Sequence, residues 1–331
     1  LVYPDGATYV GGFMHGKPHG RGKRTSVNGH SVEGEFECGK LVNGVGVAEV
    51  GGCVRNGTWV NGRLEGYGET VTSDGYRYSG MYHKGQRHGG GTLQCPDGSV
   101  FTGTWVYGNM EGHGEATENG YYYTGEFHRG AYEGLGTKTH PDGTVSTGTW
   151  FNGSLHGQAK MIHPDGRALE GEWREGKLVN GSGVMLAAHG VLSGSFVNGF
   201  LEGAGIQKNP SGYMYVGDFH NGFRHGTGTC RMQDGATYDG LFANGLFHGS
   251  GTFTSNEGHV CQGEWREGRV YSGKGVYKTH SGVILNGTFV NGALEGEGMQ
   301  TYPNGKTYSG GWLRGMKHGR GTKTSADGQV W

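Results

Sequence analysis

The chain has 331 residues, with 28 Lys plus Arg against 29 Asp plus Glu and 74 glycines against 7 prolines. Near-neutral charge gives no general electrostatic pull toward nucleic acid or bulk anionic membrane, and no apolar run reaches the roughly 18 residues of a membrane-spanning helix. An aperiodic glycine excess would signal disorder. Here the glycines fall at fixed offsets from aromatic residues, so geometry places them and an ordered chain is expected.

Fourteen aromatics, from Phe13, Phe36, Trp59 and Tyr82 through to Phe219 and Trp312, each stand two residues after one glycine and three before another. Successive members are 23 residues apart, except for one step of 22 (Trp105 to Phe127) and one of 24 (Trp265 to Phe289). A fixed short period means stacked copies of one unit, none able to bury its apolar face alone. The expected fold is all-β: an elongated array of about fourteen consecutive 23-residue β-hairpins in one long twisted antiparallel sheet, with residues 1–331 a single domain. Leu1 and Trp331 both cut a repeat, so the ends are partial and the sequence is expected to be a fragment of a longer chain.

In chain order, the first copy carries Gly11 and Phe13 as its structural pair, then the basic residues Lys17, Arg21, Lys23 and Arg24. These read as a solvated face or as a contact for an anionic lipid or acidic partner. The second copy is irregular: Gly39-Lys40-Leu41-Val42-Asn43-Gly44 holds one residue more between turn and G-x-G than its neighbours, as do the copies around Leu178-Val179 and Val270-Tyr271. The fourth is the clearest. Tyr78, Gly80 and Tyr82 alternate, so two aromatics flank a glycine on one strand face, and a side chain at Gly80 is expected to collide with the ring of the neighbouring copy. Gly217 with Phe219 and Gly310 with Trp312 repeat the arrangement.

The glycine three after each aromatic, often preceded by Asn as in Asn61-Gly62, marks a turn needing positive φ that closes a hairpin. Asp-Gly or Asn-Gly pairs such as Asp97-Gly98 and Asn119-Gly120 then turn the chain into the next copy. The G-x-G opening each return strand is broken where Ala159 replaces the second glycine. The irregular copies are also the apolar ones. Leu41, Val42, Leu178, Val179, Val270 and Tyr271 are expected either to repair the core where the leading Tyr is lost or to form docking points along the array. The last copy ends in a second basic cluster, Arg314, Lys317, Arg320 and Lys323.

No motif points to catalysis, a cofactor or a metal. The G-x-G pairs never extend to G-x-G-x-x-G or join a predicted helix, so they read as structural glycines. Histidine recurs at one repeat position, where Glu substitutes freely, which favours a side-chain hydrogen bond at the hairpin over a ladder of ligands. Five cysteines, odd in number and without C-x-x-C, fit reduced thiols and a cytoplasmic setting.

The pattern Y-x-G-x-[WF]-x-x-G-x-x-H-G-x-G followed by D-G resembles the MORN (membrane occupation and recognition nexus) repeat. It departs from it at seven leading slots: Val32, Arg55, Ser146, Leu169, Leu192, Cys261 and Leu285. The resemblance implies a non-enzymatic structural scaffold or protein-interaction rod in the cytoplasm, associated with the cytoskeleton, a cilium or axoneme, or a membrane–cytoskeleton junction. Its implied partners are cytoskeletal or axonemal proteins, with anionic or phosphoinositide-bearing membrane as the alternative. A third reading is an accessory domain of an enzyme outside these residues. Open strand edges at the array ends predict an end-to-end homodimer.

Overall fold

The computed structural model describes residues 1–188, 190–279 and 281–331. Among them are 28 β-strands and no helix, as the alternating pattern predicts. They gather in two compact bodies, residues 1–166 with 172–177 and residues 167–171 with 178–331. Within each body, strands pair antiparallel with their sequence neighbours, as in the runs Arg63–Val71 to Val100–Val106 and Phe200–Lys208 to Thr237–Ala243.

Each copy is an outgoing strand such as Arg77–His83 and a return strand such as Gln86–Gln94, joined by two residues at positive φ, Lys84 (51°) and Gly85 (79°). The same left-handed pair recurs whether its first residue is Asn61 (49°), Tyr107 (46°) or Glu267 (49°). This is the type I′ geometry that matches strand twist, and glycine takes the second position at no steric cost.

Copies are linked by one of two connections. The longer spans five residues, as at 95–99, where Cys95 N–H donates to the Ser99 carbonyl at 2.8 Å and Gly98 N–H to the Cys95 carbonyl at 3.0 Å. There the Asp97 carboxylate accepts from Ser99 N–H at 2.9 Å, which explains the Asp before Gly. The shorter is a two-residue turn, Asn119-Gly120 or Gly51-Gly52. The period follows from these choices. A short connection alone gives the 22-residue step after Trp105, an insertion with a short connection restores 23 after Phe36 and Trp173, and an insertion with the long connection 279–283 gives the 24-residue step.

Tyr78, Gly80 and Tyr82 lie on a buried face, while Arg77, Ser79 and Met81 take the other. The Tyr78 ring covers the glycine pair of its own hairpin: a Cβ at Gly91 would fall 2.5 Å from Tyr78 Cζ, and one at Gly80 2.7 Å from the Tyr78 hydroxyl. The collision expected with the neighbouring copy's ring is therefore corrected, since the obstacles are the copy's own tyrosine and the facing Gly91 backbone. The neighbour's ring covers the return glycine instead, with Tyr82 Cδ2 3.4 Å from a Cβ built at Gly68.

Rings then stack edge-on through the copies. Tyr78 meets Tyr82 at 5.2 Å and Trp105 of the next copy at 5.5 Å, and each such pair contributes about 0.5–1.5 kcal/mol beyond its buried area. The Trp105 indole N–H donates to the Gly91 carbonyl at 2.9 Å and ties the copies together. Tyr82, Phe219 and Trp312 are buried, each edge-on to the tyrosine of its own copy, whereas Phe13, in the first strand, is half exposed. A further buried column runs five residues after the aromatic, through Leu64, Met110, Leu155, Leu201 and Leu294.

In the irregular copies the insertion slips the return strand by two residues. Regular copies pair Gly80 with Gly91, the second glycine of G-x-G, across a bulge. Gly34 instead pairs with Gly44 and Gly263 with Gly273, each the first glycine, and the leading residues Val32 and Cys261 face Gly46 and Gly275. Six of the seven leading slots without an aromatic belong to these three copies (Val32, Leu169, Cys261) and the three that follow them (Arg55, Leu192, Leu285).

Candidate functional site

Because the rings face one side of each sheet, the opposite side is left to solvent. Its central rows hold hydroxyl ladders, with Thr92 and Thr102 bonded across strands at 3.1 Å and Thr137 and Thr147 likewise at 3.1 Å. Apolar pairs interrupt them. Tyr67 faces Met81 in the first body, and Ile206 faces Val216 in the second, all four exposed.

The six apolar residues of the irregular hairpins divide by role. Leu41, Leu178 and Val270 occupy the column five residues after the aromatic, and Leu178 and Val270 are buried. The docking expectation is corrected for these two, because they are ordinary core residues out of a partner's reach. Val42, Val179 and Tyr271 are the half-buried inserted residues, whose carbonyls accept from Gly62, Gly199 and Gly292 N–H at 2.7, 2.7 and 2.6 Å and so staple the next hairpin tip. The Arg266 guanidinium also lies 3.5 Å from the centre of the Tyr271 ring.

The basic clusters do not form single faces. Arg21 and Lys23 sit directly across from Glu35 and Glu33, while Arg24 pairs with Tyr9 on the ring face and lies over Tyr3. At the other cluster Lys317 and Lys323 stand opposite Trp312 and Tyr308 on the ring face, and Arg314 occupies the positive-φ hairpin tip. Lys17 and Arg320 are exposed. The edge strands Thr8–Met14 and Met316–Thr324 each carry a two-bond bridge, between Leu1 and Tyr9 and between Lys323 and Trp331.

The His/Glu position is a clamp between copies. Glu65 accepts the backbone N–H of Lys84 at 2.9 Å and meets His83 Nδ1 at 2.8 Å, and Glu111 and Glu202 repeat both contacts. The Lys84 and Asn221 amides, then His83 and His220, hold the Glu65 and Glu202 carboxyls below the usual carboxylate range. In the first two irregular copies Asn43 and Asn180 play the same part toward Asn61 and Asn198 N–H. Histidine behaves differently: His19 and His88 keep a buried Nδ1 with no protein partner.

Two clefts open on the ring face of the first body. One of 490 Å³ is lined by Phe36 and Trp59 together with the smaller Val32 and Ala48. The position equivalent to Ala48 carries Met185 and Tyr277 in the other irregular copies. The Glu49 carboxylate on its rim is held by Ser26, Asn28 and His30 at 3.1, 3.0 and 2.8 Å. The second, of 430 Å³, brings Arg55 and Arg87 together beside Tyr78 and Tyr82. Neither cleft was legible from motifs. The only sequence signal was a charge at Arg55 in an otherwise uncharged column.

Burial pushes the Cys261 thiol up to about 11 and the Cys230 thiol upward, so neither is a reactive thiolate. Among the described residues no group of three or more His, Cys, Asp or Glu is placed to hold a metal ion.

The MORN-repeat family model matches eleven segments: residues 9–31, 56–75, 78–100, 101–117, 123–145, 147–166, 193–212, 215–237, 238–260, 286–307 and 308–330. The largest gaps, 32–55, 167–192 and 261–285, are the three irregular copies. No curated protein matches the chain. Solved structures with some likeness include the G-box domain of the microcephaly protein CPAP, at 14% identity and a TM-score of 0.15 over 80% of this chain and 97% of that one. Virginiamycin B lyase from Staphylococcus aureus matches at 10% identity and 0.14 over 79% and 92%, and a streptogramin B lyase at 10% and 0.14 over 86% and 88%. Likeness at this level carries no argument. The family segments cover well over half of the sequence and keep register with the ring columns, and the chain belongs to the MORN-repeat family.

Proposed function

We propose that the chain is a non-enzymatic scaffold that holds protein partners on the sheet face opposite the rings. The observation that carries this reading is the directly paired Ile206 and Val216, which stand 39% and 44% exposed where other copies pair Thr92 with Thr102 and Thr137 with Thr147. Exposed apolar pairs in an otherwise polar ladder add nothing to the core and mark contact surface. Family membership supports cytoskeletal or axonemal partners in the cytoplasm. The splitting of the basic clusters between faces, with Glu33 and Glu35 across from Lys23 and Arg21, favours protein over anionic membrane.

The test is Ile206→Thr with Val216→Thr, which extends the hydroxyl ladder. Circular dichroism and melting should be unchanged, since exposed substitutions stay within about 0.5 kcal/mol. Capture of a defined set of proteins from native extract, quantified by mass spectrometry against the wild type, should fall. Unaltered capture would remove this face from the binding surface.

A further inference from the structure

Of the fourteen leading slots seven are aromatic, and among the others only Arg55 is charged. Its side chain lines the 430 Å³ cleft beside Tyr78 and Tyr82, with the exposed rings of Tyr76 and Tyr107 also in the lining. Arg87, from the return strand Gln86–Gln94, enters the same cleft. Its guanidinium lies over the Trp105 ring at 4.4 Å and donates to the Gly108 carbonyl at 2.8 Å, which leaves its remaining N–H groups for another acceptor. Arg55 Nε is buried with no hydrogen-bond partner.

Neither guanidinium forms an ion pair among the described residues. The charged and titratable groups acting on Arg87 are Tyr78, Tyr82 and Cys95, with no carboxylate among them. The hydroxyls of Thr70 and Tyr82 bond to each other at 2.6 Å, which leaves one O–H as a further donor on the wall. Guanidinia taken out of water without an anionic partner lack what offsets their desolvation. The fold does not require them: Leu192 and Leu285 fill the slot of Arg55 in equivalent copies, and Leu64, Leu155 and Leu201 that of Arg87. Guanidinium forks match the geometry of phosphate and carboxylate oxygens.

We propose that this cleft is an oxyanion site, suited to a phosphate monoester whose charge meets Arg55 and Arg87 and whose organic part rests against Tyr76 and Tyr107. A tetrahedral dianion satisfies two guanidinia and a hydroxyl donor better than a planar monoanion. The site is independent of the opposite-face scaffold reading.

The test is calorimetric titration of the full chain with phenyl phosphate, inorganic phosphate and acetate. Phenyl phosphate should bind most tightly and acetate least. Arg55→Leu and Arg87→Leu should each weaken phenyl phosphate binding by about tenfold or more, with β-sheet circular dichroism and melting retained. Vesicles bearing a phosphomonoester headgroup distinguish the source: sedimentation lost in both variants assigns a lipid headgroup, and sedimentation unchanged while phenyl phosphate binding is lost assigns a soluble ester. Absence of phenyl phosphate binding by the wild type, equal binding by the variants, or unfolding of both variants would overturn the proposal.

Discussion

At the level of single residues, Ser146 and Ala159 show how one exception compensates another. Ala159 replaces the return glycine in the one copy whose leading slot holds Ser146, which is fully buried and lies 3.1 Å from His140 Nε2. In a regular copy a methyl at that glycine would lie inside the tyrosine ring, 2.5 Å from Cζ at Gly91. Loss of the ring is what admits the methyl. Ser146→Tyr alone should overpack the hairpin and cost about 1–3 kcal/mol, and Ala159→Gly in the same chain should recover most of it. Denaturant melts of both singles and the double measure the coupling, and additive effects would show that the two positions do not share this space. The break at Ala159 was legible in the sequence. Its pairing with Ser146 was not, because the two are neighbours only across the hairpin.

At the level of the hairpin, the turn chemistry, strand alternation and 23-residue spacing were all readable, since each rests on local sequence. What escaped was register. The two-residue slip at Gly34–Gly44, and the membership of Leu41, Leu178 and Val270 in a column that every copy has, depend on which residues face one another across strands. The Glu clamp was hidden for the same reason, as Glu65 acts on a turn 19 residues later. Its consequence is acid sensitivity. Hydrogen bonds hold the Glu65 and Glu202 carboxyls below their unfolded range, so their contribution is present above the ordinary carboxylate pKa and is lost as pH falls through the lowered folded value. The side chains are 37% and 34% exposed, so solvent screening keeps the effect modest. Melting temperature followed from pH 7 to pH 3 should fall less in the Glu65→Gln, Glu202→Gln variant than in the wild type; identical pH slopes would mean that the clamps carry no stability.

At the level of the whole molecule, the repeat grammar supplied the fold class and the family, and the slipped register is seen in two of the copies that the family pattern skips, at Gly34–Gly44 and Gly263–Gly273. Function was less legible, because the grammar fixes the ring columns, whereas Ile206 and Val216, on which the scaffold reading stands, lie outside it. The account therefore turns on the sheets being one-sided, and adjacent residues test this most directly. Tyr215 is fully buried over the Gly217–Gly228 pair, whereas its neighbour Val216 is 44% exposed on the other face. Melting of Tyr215→Ala and Val216→Ala in parallel should show a loss of about 3–5 kcal/mol for the first and less than about 0.5 kcal/mol for the second. Comparable losses at the two positions would contradict a one-sided sheet and with it the free face on which the scaffold reading stands.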